Sequence, residues 1–146
     1  MANTVQITVE QDGPSDTVYT VYLESDGSSG ELTNQTIIDP ATLYNEAARS
    51  SGTQGFPNNA PLLNIQQVWY FLSGFDVVVQ FGGAVPMKRL LLTPSVDSYQ
   101  DFRPMGGLAD KTPSANSPNG KLQINTNGFS SSGCFGTIIF KVRKMK

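Results

Sequence analysis

The chain is divided into short runs rich in Val, Ile, Thr, Tyr and Phe, and each run is bounded by Gly, Pro, Asn, Asp or Ser. β-Branched and aromatic residues suit the pleated surface of a strand, whereas the bounding residues suit turns. About eight such runs occur, at residues 4–10, 17–24, 32–39, 62–72, 75–81, 87–93, 121–126 and 135–142. The pattern predicts an all-β fold, an antiparallel β-sandwich of jelly-roll or other Greek-key type.

Two kinds of strand are expected from the order of apolar residues. At residues 135–144, the alternate positions 138, 140 and 142 are apolar, while Thr137, Lys141 and Arg143 face the other way, which is typical of a strand with one face in water. Residues 68–72 and 90–92 are apolar at consecutive positions. We therefore expect those two strands to be covered on both faces, by another sheet, a loop or a second subunit.

The remaining segments predict one short helix and two long loops. Asp39 can cap a helix over residues 39–52, with a proline at its first position. Residues 50–61 and 110–120 are rich in Pro, Gly, Ser and Asn, so we expect surface loops that do not pack. With no repeat and no long low-complexity tract, residues 1–146 are expected to form a single β-rich domain.

Composition excludes several functions. The sequence contains no histidine, so Ser-His-Asp triads, Cys-His pairs and His-ligated zinc sites are impossible. Ten Lys and Arg against twelve Asp and Glu give a formal net charge of −2, which provides no general attraction for nucleic acid or an anionic membrane. We expect no enzyme activity, no cofactor, no bound metal and no small-molecule substrate.

Cys134 and the N-terminal residues indicate the cellular compartment in which the chain is expected. A single cysteine cannot form an intrachain disulfide, which agrees with a reducing compartment. Cys134 is expected to be a small buried residue at the start of a strand rather than a reactive thiol. The N-terminal residues show neither a basic leader nor an apolar signal core, so we expect the chain to be made and kept in a cytosol.

Glu24, Asp26 and Glu31 surround the glycine-rich stretch at residues 22–34. They form a crude set of oxygen ligands for Ca²⁺, but their spacing does not match a calcium-binding loop. A hairpin turn, with Asp-Gly and Gly30 supplying positive φ angles, is the favoured interpretation.

Three further stretches invite functional interpretations. Asp97 and Asp101 could form a pair of catalytic carboxylates, although isolated acids in loops are common. Gly82 and its neighbour are followed by no helix and no phosphate-loop signature, so they indicate a turn after a strand. The basic C-terminus at residues 141–146 could grip an acidic protein surface or nucleic-acid phosphates, form salt bridges within a terminal strand, or be a solvated charge run.

Four segments together resemble a widespread class of small virion-associated proteins of tailed bacteriophages. They are TVYTVYLESDGSSGE from Thr17, IQQVWYFLSGFDVVVQF from Ile65, DFRPMGGLADK from Asp101 and GTIIFKVRK from Gly136. In that class, similarly placed segments form a Tyr-rich hairpin, a Trp strand followed by Gly-Phe and a second strand, an Asp-Phe-x-x-Gly-Gly-Leu loop and an Ile-rich last strand. The chain departs from the class by a longer segment at residues 46–61 and a Pro/Asn-rich one at residues 112–120.

The resemblance implies an auxiliary head component, called a decoration or cement protein, which binds the capsid lattice and commonly oligomerises around local symmetry axes. It carries over no catalytic residue. The expected partners are the major capsid protein of the phage and two further copies in a homotrimer. The expected location is the capsid surface of the virion, after synthesis in the bacterial cytoplasm. We expect contacts to the shell from the N-terminal strand, the loop after Asp101 and the basic C-terminus, at Phe102, Arg103, Lys111, Arg143 and Lys144.

An alternative is a carbohydrate- or receptor-binding module of a phage tail or neck. In that case the rings of Tyr19, Tyr22, Trp69 or Tyr70 would stack on sugars. Because these residues lie within predicted strands rather than at loop tips, packing in the core is the favoured explanation for all four.

Overall fold

The protein is a sandwich of two antiparallel β-sheets, as the sequence predicts. A computed structural model describes residues 3–13, 15–43 and 62–145. The described strands are β1 (Thr4–Asp12), β2 (Asp16–Glu24), β3 (Gln35–Ile38), β4 (Leu62–Ser73), β5 (Asp76–Gly83), β6 (Met87–Leu92), β7 (Ser95–Asp101), β8 (Leu108–Ala109), β9 (Pro118–Asn127) and β10 (Phe135–Met145). No helix in these ranges is long and apolar enough to cross a bilayer.

The larger sheet has the strand order β1-β2-β10-β4-β7, and the short β8 also pairs with β4. The smaller sheet has the order β3-β9-β5-β6. All eight predicted runs contain a strand, and the sequence missed only β7 and β8. The chain crosses between the sheets several times, so most neighbouring strands are distant in sequence.

Alternating side chains from both sheets fill the core. Along β2, every second residue from Thr17 to Leu23 is buried, and β10 does the same from Gly136 to Lys144. Phe75 and Phe129 meet in the core with their ring centroids 4.7 Å apart. Burying one such side chain stabilises the fold by about 1.5–3 kcal/mol. Contacts between the two inner faces therefore hold the sheets together.

The stretch at residues 22–34 is not a hairpin turn. It leaves β2 in the larger sheet and enters β3 in the smaller sheet, where β3 pairs with β9. The Leu32 amide donates to Thr126 Oγ1 at 2.8 Å, which ties the end of the stretch to β9. Gly27 and Gly30 both have φ of +80°, so the expected positive φ angle at Gly30 is confirmed although the expected hairpin is wrong.

The two consecutively apolar strands are each covered on one face only within the described residues. Val68 and Tyr70 are buried, but Trp69 between them is 37% exposed. On β6, Leu92 is fully buried whereas Leu91 is 55% exposed. The expectation of cover on both faces is therefore not met within the described part of the chain, and both sheets present apolar side chains outward.

The predicted helix and loops are only partly described. Asp39 accepts a hydrogen bond from the Ala41 amide at 3.0 Å and caps a 3₁₀ turn at Pro40–Thr42. The rest of that segment and the predicted loop at residues 50–61 lie outside the described residues. The predicted loop at residues 110–120 packs more than expected, because Asp110 and Thr112 are buried and its last three residues belong to β9.

Candidate functional site

Exposed rings gather on the outer face of the larger sheet, where strand pairing places them side by side. Paired residues of antiparallel strands point to the same face. Trp69 on β4 lies opposite Ile139 on β10 and opposite Tyr99 on β7. We call this surface the aromatic face, and it consists of Trp69, Phe71, Tyr99, Phe135 and Ile139.

The rings of the aromatic face are ordered in two stacked pairs. Trp69 and Tyr99 have centroids 5.1 Å apart at 27°, and Phe71 and Phe135 have centroids 5.7 Å apart at 26°. Tyr99 is 46% exposed and Phe135 is 41% exposed. A shallow cavity of about 280 Å³ opens between Trp69, Tyr99 and Ile139. Stacked rings hold each other in one orientation, so the face is a pre-formed platform for an apolar partner.

A groove with positively charged walls adjoins the aromatic face. Its volume is about 220 Å³, and we call it the cation groove; it is lined by Ser15, Asp16, Gln66, Arg103, Lys141 and Arg143. Lys141 and Arg143 continue the outward-facing row of β10 beyond Ile139, because alternate residues of a strand share a face. The two surfaces are therefore neighbours on one side of the sheet.

Arg103 is held in place by an ion pair. Its Nε and Nη2 donate to the two carboxylate oxygens of Asp101 at 2.9 and 2.8 Å. These side-chain hydrogen bonds, followed by one from the Arg103 amide, lower the pKa of Asp101 to about 2. The preceding residue is anchored too, because the Phe102 amide donates to the Gln66 carbonyl at 2.8 Å. Arg103 thus keeps a defined position at the rim of the groove.

Lys144 has a different role from Arg143, although the two are adjacent in sequence. The Lys144 side chain is only 3% exposed, and its Nζ forms an ion pair with Asp12 and donates to the Gly13 carbonyl. Arg143 is exposed on the opposite face of β10. Within the described ranges, neither Lys141 nor Arg143 forms an ion pair or a side-chain hydrogen bond.

Of the five residues expected to contact a partner, the structure brings Arg103 and Arg143 together at the cation groove. Phe102 is half-buried against the core, and Lys111 is exposed but does not line the groove. The sequence placed Lys141 on the outward face of the last strand but did not identify it as a contact residue. The alternation along β10 was the available signal, because it places Lys141 and Arg143 on one face and Lys144 on the other.

The aromatic residues of the sugar-binding alternative divide between the core and the surface. Tyr19 and Tyr70 are buried, as expected for core packing. Tyr22 is half-buried, and Trp69 is exposed on the aromatic face. The expectation that all four pack in the core is wrong for Trp69 and for Tyr22, which points outward between the buried Val21 and Leu23.

The two candidate catalytic carboxylates lie in different surroundings. Both belong to β7 rather than to a loop. Asp101 is bound by Arg103, and a carboxyl with a pKa of about 2 holds no proton to donate near neutral pH. Asp97 has φ of +55° and lies at the edge of the cavity on the aromatic face.

The acids of the stretch at residues 22–34 each have a separate partner. Glu24 accepts from the Tyr22 hydroxyl at 3.2 Å, and Glu31 accepts from Thr126 Oγ1 and the Phe129 amide, both at 2.9 Å. The pKa of Asp26 is lowered to about 2, first by the hydroxyl of Ser29. Among the described residues, no group of three or more His, Cys, Asp or Glu is placed to hold a metal ion.

Cys134 is buried just before β10, and its Sγ lies 3.4 Å from the Gly128 carbonyl oxygen. The expectation of a small buried residue at a strand start is confirmed.

Comparison with known proteins gives no relative: the chain matches no protein-family model, no curated protein and no solved structure.

Proposed function

We propose that this chain is a non-enzymatic structural protein of a tailed-bacteriophage particle. In this proposal it binds the outer surface of the capsid lattice through the aromatic face and stabilises the head as a cement or decoration protein. The observation that carries the proposal is the aromatic face, an ordered set of exposed rings that no described residue covers. The assignment to a phage head comes from the sequence resemblance.

Exposed aromatic side chains in one contiguous patch are typical of protein interfaces. Large apolar patches are uncommon on monomeric proteins, and aromatic anchors contribute much of the binding energy at interfaces. Trp69 and Tyr99 are such anchors, since their stacking fixes their orientation before binding. Little conformational entropy then has to be lost when the partner docks.

Such binding strengthens a shell without chemistry. A subunit that bridges neighbouring coat proteins favours the assembled state by mass action. If three copies associate around a local axis, weak contacts act together and the effective affinity rises well above that of one contact.

The test is co-sedimentation with expanded heads that lack the protein. We expect saturable binding at a fixed ratio to coat protein, and heads that become harder to disrupt. The Trp69→Ala variant should bind at least tenfold more weakly, because truncating an interface anchor costs about 2 kcal/mol or more. Leu91→Ala, which removes an exposed apolar side chain from the outer face of the other sheet, is the control and should bind like wild type.

Circular dichroism of both variants establishes that each is folded. Absence of wild-type binding to heads would contradict the proposal. Equal binding by Trp69→Ala and wild type would remove the aromatic face as the contact surface.

The exposure of Trp69 also favours a second candidate, a carbohydrate- or receptor-binding module of a tail or neck. Sugar rings stack on exposed aromatic platforms, and Asp97 and Ser98 line the same cavity with polar groups. The chain has a single tryptophan, so quenching of its fluorescence by host-surface glycans tests this candidate directly. Saturable quenching by glycans without binding to heads would favour the module over the cement protein.

A further inference from the structure

The row of side chains on the outer face of β10 changes from apolar to cationic along one line. Ile139, Lys141 and Arg143 are spaced two residues apart on the same face, so successive side chains are about 6.6–6.8 Å apart. An extended peptide repeats its own side chains at the same interval. A partner segment lying along β10 could therefore match apolar side chains to Ile139 and Trp69, and acidic ones to the two cations.

We propose that the cation groove binds carboxylate side chains of an extended partner segment whose neighbouring apolar side chains dock on the aromatic face. This inference rests on the proposed function and specifies the chemistry of the partner surface. It predicts a coat-protein segment in which aromatic or aliphatic residues alternate with others and are followed by one or two Asp or Glu.

The charges of the groove fit one or two carboxylates. Arg103, Lys141 and Arg143 contribute three positive charges, while Asp16 in the wall and Asp101 beside Arg103 contribute two negative ones. Arg143 can offer a carboxylate two parallel hydrogen bonds. Since Asp101 keeps the Arg103 guanidinium oriented, the groove is formed before the ligand arrives.

A polyanion is a poorer match for the same surface. Nucleic acid would need many cations along its path, whereas this groove has a net charge of one and the whole chain has −2. A protein segment with apolar and acidic side chains contacts both the aromatic face and the cation groove.

The test uses short peptides and the fluorescence of Trp69. The probe is acetyl-Phe-Thr-Leu-Thr-Glu-Thr-Glu-amide, and its control replaces both Glu by Gln. We expect the acidic probe to quench Trp69 saturably and to bind about fivefold more tightly than the Gln control, because two exposed ion pairs of ordinary strength together supply a difference of that size. The advantage should shrink at high salt.

Variants of the protein test which cations cause the preference for the acidic probe. In the double variant Lys141→Gln with Arg143→Gln, the preference for the acidic probe should disappear while the affinity for the Gln control stays unchanged. Lys88→Gln, at an exposed position on the other sheet, should keep the preference. The same affinity for both probes in the wild type, no quenching by either probe, or an undiminished preference in the double variant would each overturn the inference. Tighter binding of a thymidine oligonucleotide than of the acidic probe would overturn it in favour of nucleic acid.

The failure of this inference is separable from the failure of the proposed function. If wild type binds heads and the double variant binds them equally at all salt concentrations, the groove inference fails and the cement role stands. If the peptide probes and the variants give the expected affinities but wild type does not bind heads, the groove inference stands and the cement role fails.

Discussion

Replacing Lys144 by Met should destabilise the fold, whereas replacing its neighbour Arg143 by Gln should not. Methionine keeps the apolar stem of Lys144 but removes the ammonium that pairs with Asp12 and donates to the Gly13 carbonyl. Breaking a buried ion pair from one side costs about 3–5 kcal/mol. The side chain of Asp12 is 24% exposed and regains part of its hydration, so we expect a loss of about 2–3 kcal/mol.

Urea unfolding followed by far-UV circular dichroism measures this difference, together with the thermal midpoint. For a domain of this size, the loss corresponds to a fall in Tm of roughly 4–12 °C. The free energy of unfolding of Arg143→Gln should lie within about 0.5 kcal/mol of wild type. The Arg143 side chain is exposed and forms no ion pair or side-chain hydrogen bond with the described residues. Equal stability of the two variants would refute the assignment of Lys144 as a buried structural cation.

Two further predictions concern the loop that carries Arg103. Gly107→Ala should cost about 2 kcal/mol or more in urea unfolding, because the residue has φ of +84° and its new Cβ would overlap Asn64 Oδ1. Gly106→Ala, with φ of +87° and open space around its Cβ, should cost clearly less, and equal losses would contradict the packing argument. The pair of Asp101 and Arg103 should persist above pH 4 and be lost only as the pH falls through about 2, since Asp101 has a lowered pKa in the fold. Titration of the Asp101 carboxyl carbon by NMR checks this, and in Arg103→Gln the pKa should return towards its ordinary value; an unchanged pKa would exclude Arg103 as the main cause.

Local patterns in the sequence were sufficient to predict eight strands and the fold class. Strand propensity, alternation and turn residues act over a few neighbours, so the sequence displays them directly. β7 was missed because its residues, SVDSYQD, are mostly polar. It is the edge strand of the larger sheet and pairs along its length only with β4, so little apolar pattern is required of it.

Pairing between distant strands could not be predicted from those patterns. The Asp-Gly stretch after β2 has the same turn chemistry in a hairpin as in a connection between sheets. The stretch is a connection between sheets because β3 pairs with β9, where Gln35 lies opposite Ile124. Contacts over such separations leave no local signal in a single sequence.

Only part of the candidate site could be predicted from local patterns. The sequence identified Arg103 and Arg143 as basic contacts, but it ended the last strand at residue 142, three residues before β10 ends at Met145. The alternation already placed Lys141 outside, and extending it to Lys144 would have placed that side chain inside. The exposure of Trp69 depends on what covers the sheet, which the pattern of consecutive apolar residues does not specify.

Cryo-electron microscopy of expanded heads saturated with the purified protein shows which surface of the sandwich contacts the capsid. We expect density for the sandwich on the capsid surface, with Trp69 and Tyr99 against coat protein and an acidic coat segment in the groove formed by Arg103, Lys141 and Arg143. Undecorated heads, or density in which the outer face of the smaller sheet around Leu91 contacts the coat while Trp69 faces solvent, would contradict it.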